Sequence, residues 1–206
     1  MTEETELTVT VCGMGNAGMA IAADVSHMGF KVNAYEVPQF SGNLDPIIAS
    51  GGVTLHGNTV SGKTGFTKLN KVTSDANEAI EDADLIMIAV PAQAHEAVMK
   101  ELLPHLKEGQ VILVNTGYWA SLRFKSMLES RSLQDKVVIA EGNIMPYLSG
   151  IIGPAQVHIY NYKRILKVST WPAHKKDEVY EVVKAVYPQF ELSENIIGCN
   201  FYPGNI

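Results

Sequence analysis

Residues 9–18 read V-T-V-C-G-M-G-N-A-G. A short β-rich run over residues 7–11 meets Gly13, Gly15 and Gly18 in the spacing G-x-G-x-x-G. Residues 19–28 then look helical, with Gly29 placed as a C-terminal stop. Strand, glycine turn and helix in that order are the context that the dinucleotide fingerprint requires. Gly13 permits the tight turn, Gly15 lets the backbone approach a pyrophosphate, and Gly18 lets the helix pack closely on the strand. The free N–H groups at the helix start, helped by the helix dipole, then face the phosphates.

An ordinary glycine-rich turn can show the same spacing, so two further features matter. The motif starts close to the N-terminus, where a first Rossmann strand belongs. A second β-like run, residues 31–35, ends at Glu36. A carboxylate there accepts hydrogen bonds from the adenosine ribose hydroxyls and repels a 2′-phosphate, which favours NAD over NADP. The expected cofactor-binding residues are Gly13, Met14, Gly15, Asn16, Ala17, Gly18 and Glu36. Val90, Pro91 and Asn115, at the ends of later strands, complete the set.

Composition narrows the rest. A chain of 206 residues, 46% hydrophobic and 18% charged, is an ordinary globular mixture able to bury a core. A net charge of −6 argues against nucleic acid or an anionic membrane as partner. No apolar run approaches the length of a membrane span, and the polar, acidic first six residues do not form a signal peptide. Cys12 and Cys199 make no disulfide framework, which fits a reducing cytoplasm. Cys12, between strand and turn, reads as a small buried side chain.

Beyond Glu36, Pro38 and Gly42 mark a loop, and Asp45-Pro46 opens a short helix stopped by Gly51-Gly52. Residues 53–56 and 59–61 read as a small hairpin closed by Gly57-Asn58. Inside it, residues 57–64 read G-N-T-V-S-G-K-T, a literal match to the P-loop pattern. A P-loop must run into a helix, whereas Gly65-Phe66-Thr67 follows here, so Lys63 is expected at an exposed turn. Ser74 or Asp75 caps the next helix. The apolar run 85–90 suits a strand buried on both faces of a parallel sheet, and Pro91 ends it. A helix over 92–103, a strand over 111–114, a helix over 121–130 and a strand from 137 to 140 complete the alternation.

The expected fold is therefore α/β, a doubly wound, mostly parallel sheet of Rossmann type. Gly13, Val90, Asn115 and Glu141 should lie along its ligand-binding edge. Residues 156–160 and 164–170, turned by Asn161-Tyr162-Lys163, read as an added antiparallel hairpin toward the C-terminus. A helix over 175–187 follows, with Val179, Val182, Val183 and Val186 as its apolar stripe.

His95 and Glu141 are the candidates for the substrate side. His95 suits either a substrate-facing or a structural imidazole. Glu141 suits either a basic substrate group, a hydrogen-bond network or a capping role. The other five histidines, His27, His56, His105, His158 and His174, are expected to be solvated. No H-x-x-x-H or C-x-x-C pattern appears, so no metal site is expected.

Three stretches together resemble the opine dehydrogenase family, within the larger group related to 6-phosphogluconate and glycerol-3-phosphate dehydrogenases. They are G-M-G-N-A-G from Gly13; A-V-P-A-Q-A-H over 89–95 with L-P-H-L-K over 103–107; and Ala140-Glu141, Met145-Pro146-Tyr147 and Trp171-Pro172-Ala173. The resemblance implies NAD(P)H-dependent reductive condensation of an amino acid with a 2-oxo acid such as pyruvate. It also implies a helical second domain, with the catalytic His in its opening stretch. No histidine follows His174, so that His is expected beyond Ile206 and none in this chain takes the role. Residues 1–192 are then the dinucleotide-binding domain and residues 193–206 a linker into a substrate domain, and this portion alone is expected to be inactive. Ile196, Ile197, Phe201 and Tyr202 are expected to be uncovered, with self-association, such as a homodimer, as the consequence. Two alternatives stand beside this reading. One is another ketopantoate- or glycerol-phosphate-type dehydrogenase, and the other is a stand-alone NAD-binding module without turnover.

Overall fold

The computed structural model describes residues 7–201. In chain order the strands and helices begin with β1 (Thr8–Cys12), α1 (Asn16–Met28), β2 (Lys31–Tyr35), α2 (Asp45–Ser50), β3 (Val53–Gly57), β4 (Gly65–Thr67) and β5 (Lys71–Thr73). Next come α3 (Ala76–Ile80), β6 (Leu85–Ile88), α4 (His95–Leu102), β7 (Val111–Val114), α5 (Ala120–Glu129) and β8 (Val138–Gly142). The last are β9 (Tyr147–Gly153), β10 (Gln156–Tyr162), β11 (Leu166–Trp171), α6 (Lys176–Val186), β12 (Phe190–Leu192) and α7 (Ile196–Asn200).

Strands β1, β6 and β7 are buried at every position, as their continuous apolar runs require in a sheet covered on both faces. The main sheet has the order β12-β11-β8-β7-β6-β1-β2-β5. From β5 to β8 all pairings are parallel, and in order of appearance those six strands run 3-2-1-4-5-6, the doubly wound arrangement. The strand order reverses between β1 and β6, so the glycine turn after β1 and Val90 after β6 face each other across the switch point. Strands β11 and β12 extend the sheet beyond β8, with β11 antiparallel to it.

A second sheet, β4-β3-β10-β9, lies against α1. Helix α1 is therefore covered by both sheets, which explains why Ala20, Ile21, Ala22, Ala23 and Val25 are all fully buried. Asp24, also fully buried, holds the junction. Its carboxylate accepts from the Val60 N–H at 2.9 Å, the Ser61 N–H at 3.2 Å and the Tyr147 hydroxyl at 2.6 Å.

Two expected hairpins are corrected. Residues 59–61 form no strand beside 53–56. Instead β3 pairs with β4 on one side and runs parallel to β10 on the other. Gly57, at φ 93°, turns the chain out of β3, and Asn58 N–H donates to Ile159 C=O at 2.8 Å. The second hairpin is formed by β9 and β10, not by residues 156–160 and 164–170. Strand β11 leaves β10 altogether and pairs with β8 in the main sheet. Strands β4, β5, β9 and β12 have no counterpart in the sequence reading.

Candidate functional site

Each fingerprint glycine has a distinct environment. Gly13 sits at φ 96°, with Val90 in the space a side chain would fill. Gly18 packs so closely on the Gly13 carbonyl that an added Cβ would collide with it. Gly15 has nothing within 4 Å of the position of an added Cβ, so its outer face is open. Gly15 is also the N-cap of α1, where no side chain caps the first turn. Among the described residues no side chain takes the backbone N–H groups there, and the helix dipole favours an anion at that end.

Gly13 and Gly15 floor a cavity of about 750 Å³ between the turn after β2 and helix α4. Glu36, Val37, Phe40 and Asn43 form one wall, and Val90, Pro91, Ala94 and Ala97 the other. Glu36 is 4% exposed, and its carboxylate accepts from Met14 N–H at 2.9 Å, Val37 N–H at 3.1 Å and Asn43 Nδ2 at 3.1 Å. The same contact ties the glycine turn to the end of β2. A carboxylate oxygen has several acceptor positions, so these bonds leave room for ribose hydroxyls. Met14, between Gly13 and Gly15, is itself buried, and its backbone N–H is the donor to Glu36.

A second cavity, about 350 Å³, continues on the other side of Gly15. It shares Gly15, Ala89, Val90 and Pro91 with the first and adds Asn16, Ala17, Thr116, Tyr118 and Met145. Asn16 also anchors β9, accepting from Ile151 N–H at its Oδ1 (2.9 Å) and from Ser149 Oγ at its carbonyl (3.0 Å).

Five expected residues line neither cavity: Met14 and Gly18, buried within the turn, and Asn115, His95 and Glu141. Asn115 is fully buried behind Thr116, with its Nδ2 donating to Ile88 C=O at 3.2 Å. His95 is fully buried at the start of α4. Arg123 Nη2 donates to its Nδ1 at 3.1 Å. The His95 Nε2 is enclosed without a hydrogen-bond partner among the described residues. Burial, together with the Arg123 charge, lowers the pKa of His95 from its ordinary value, although the Val90 backbone carbonyl opposes the shift. Glu141 is also fully buried. It accepts from Ser121 N–H at 2.7 Å, Trp119 N–H at 3.1 Å and Asn200 Nδ2 at 3.1 Å. Its place is therefore the N-terminus of α5, where it satisfies the backbone as a capping carboxylate does.

Among the lining residues that the sequence reading missed are Val37, Phe40, Asn43, Thr116, Tyr118 and Met145. Each lies in a connection just after a strand that it did identify, and that position was the available signal.

Among the other predicted groups, Cys12 is fully buried, and burial pushes its thiol far up, with Glu36 adding to the shift. Lys63 is exposed and caps the carbonyl of His27 at 2.8 Å. No helix follows Thr64, so this segment is not a P-loop. Of the histidines expected in solvent, His174 is exposed, whereas His27, His56, His105 and His158 are half-buried, His56 with its Nε2 enclosed. Among the described residues no group of three or more His, Cys, Asp or Glu could hold a metal ion. Residues 193–201, expected as linker, dock α7 onto the sheet. Cys199 is buried there, Ile196 is half-buried, and Ile197 and Phe201 are exposed. Tyr202 lies outside the described residues.

Comparison with known proteins agrees with this geometry. The NAD-dependent glycerol-3-phosphate dehydrogenase N-terminus family matches residues 8–142. An opine dehydrogenase of Arthrobacter sp. (strain 1C) is 29% identical over 191 residues, covering 92% of this chain and 52% of the relative. A glycerol-3-phosphate dehydrogenase [NAD(P)+] of Moorella thermoacetica is 28% identical over 203 residues, covering 94% and 54%. The chain thus spans about half the length of these curated relatives. Among solved structures, octopine dehydrogenase with NADH and L-arginine shares the fold at a TM-score of 0.77 and 18% identity, over 94% of this chain and 50% of that one. A ketopantoate reductase from Ralstonia eutropha does so at 0.63 and 19%, over 93% and 58%.

Proposed function

Because the chain belongs to the NAD-dependent glycerol-3-phosphate dehydrogenase N-terminus family, we propose that its two joined cavities hold NAD(H) for a dehydrogenase of opine type. The observation that carries this reading is the meeting of the cavities over the open face of Gly15 at the switch point. The adenosine half belongs in the larger cavity beside Glu36, the pyrophosphate on the uncapped start of α1, and the nicotinamide in the smaller cavity. When bound, the reduced cofactor supplies the reducing equivalent that joins an amino acid to a 2-oxo acid such as pyruvate. Glu36 orients the ribose and disfavours a 2′-phosphate. Val90 and Pro91 form the partition between the two halves.

No carboxylate, imidazole or amine lines the smaller cavity among the described residues. His95 and Glu141 are both engaged elsewhere. Proton transfer to substrate is therefore assigned outside the described residues, and these 206 residues alone should bind cofactor with little turnover. Exposed Ile197 and Phe201 on and beside α7 support self-association as a homodimer, which sedimentation would reveal. Two free, buried cysteines suit a cytoplasmic setting. No helix among the described residues is long and apolar enough to cross a membrane.

Titration with NADH and NADPH tests the cofactor assignment, with tighter NADH binding expected and equal or tighter NADPH binding overturning the role of Glu36. NADH oxidation is then followed with pyruvate and a panel of amino acids, and separately with dihydroxyacetone phosphate. A longer form active only with the phosphate would favour the second reading, a glycerol-3-phosphate dehydrogenase, which the family match itself supports. Robust opine formation by these 206 residues would return the acid/base role to a residue already present.

A further inference from the structure

The connection after β7 holds a conformation that its sequence would not choose. Tyr118 and Trp119 lie at φ 45° and 65°, consecutive aromatic residues in the left-handed region. Bulky side chains are uncommon there and persist only where the surroundings over-determine them. Here they do. The Glu141 carboxylate accepts from the N–H of Trp119 and from that of Ser121. Gly117 N–H donates to Gly142 C=O at 2.9 Å, and any side chain at Gly117 would collide with the Glu141 carboxylate. Trp119 meets Phe201 edge to face at 5.8 Å, and Asn200 Nδ2 completes the donors to the Glu141 carboxylate.

This framework delivers Tyr118, beside Thr116, to the smaller cavity. Tyr118 is 58% exposed and shares that cavity with Ala17, Val90, Pro91, Thr116 and Met145. We propose that Tyr118 is the platform for the nicotinamide ring and that Glu141 is the residue that positions it. The proposal rests on the reading that NAD(H) spans both cavities. A planar, partly apolar ring needs a flat wall, and a tyrosine whose backbone is fixed provides one without further ordering on binding. Glu141 then acts through the loop and touches no ligand.

ADP-ribose, which lacks the nicotinamide, separates this role from general folding. Calorimetric titration of the 206-residue chain with NADH and with ADP-ribose is the test. Tyr118→Ala should weaken NADH binding roughly three- to tenfold and leave ADP-ribose within about twofold. It should also remove the rise in NADH fluorescence on binding, which Tyr118→Phe should retain. Glu141→Gln keeps the size of the side chain but sets an amide NH₂ against a backbone N–H, so it should show the same selective loss. Equal losses for both ligands in the variants, or no loss for NADH, would overturn the platform. Binding of neither ligand by the unaltered chain would overturn the cofactor reading first and the platform with it.

Discussion

Two glycines three residues apart give opposite expectations. Gly15 has extended backbone at φ −80°, which any residue adopts, and open space where a Cβ would go. Gly15→Val should therefore leave the unfolding midpoint nearly unchanged while abolishing NADH binding, because the side chain fills the space that the pyrophosphate needs. Gly18→Ala should do the reverse. Its Cβ has no room against the Gly13 carbonyl, so the cost should be about 3 kcal/mol or more, read from chemical denaturation. The motif was legible in the sequence, but the division of labour between its glycines depends on what surrounds each. His95 illustrates a similar limit. Its place after Val90-Pro91 suggested the ligand edge, yet burial and Arg123 keep it neutral inside the protein. Its folded pKa lies below its ordinary value of 6.5, so its contribution to stability holds above that pH and is lost as pH falls through the folded pKa. His95→Gln should flatten the decline of thermal midpoint on acidification below about pH 6.5.

Among the elements, α1 has the heaviest duties: it offers its N-terminus to the ligand and its whole girth to two sheets. Asp24 is the polar exception on that helix. Asp24→Ala would strand the N–H groups of Val60 and Ser61 and the hydroxyl of Tyr147, and should cost about 3 kcal/mol in a denaturant titration. The edge at β5 is held by a different cluster. Asp82 takes hydrogen bonds from Lys31 at 2.8 Å, Lys71 at 3.2 Å and Asn33 at 3.0 Å. Burial alone would raise its pKa, but these partners outweigh burial and hold it at about 2, against an ordinary 3.8. The stabilisation is therefore present above pH 3.8 and lost as pH falls toward 2. Asp82→Asn should lower stability at pH 7 by about 1 kcal/mol, since the site is partly exposed, with the difference closing between those two pH values. A difference that persists at pH 2 would show that the cluster acts through packing.

Across the whole molecule, cofactor handling should be confined to the switch-point side of the main sheet. The P-loop-like segment bears on this directly: Lys63 faces the C-terminal end of α1, away from Gly15. Lys63→Ala should leave NADH affinity unchanged, and a titration showing a tenfold loss would move the binding site. The sequence by itself determined the α/β alternation, the mostly parallel sheet, the glycine turn and Glu36. Those rest on local signals: continuous apolar runs for strands covered on both faces, and turn residues at fixed offsets. Tertiary structure alone decided the second sheet, in which β3 meets β10 across some hundred residues of chain, and the transfer of β11 to β8. It also decided that Glu141 caps α5 while Tyr118 faces the cavity. The reason is physical. Alternation and burial record that a face is covered, but not which segment covers it, and a buried carboxylate takes its role from the donors that folding brings to it.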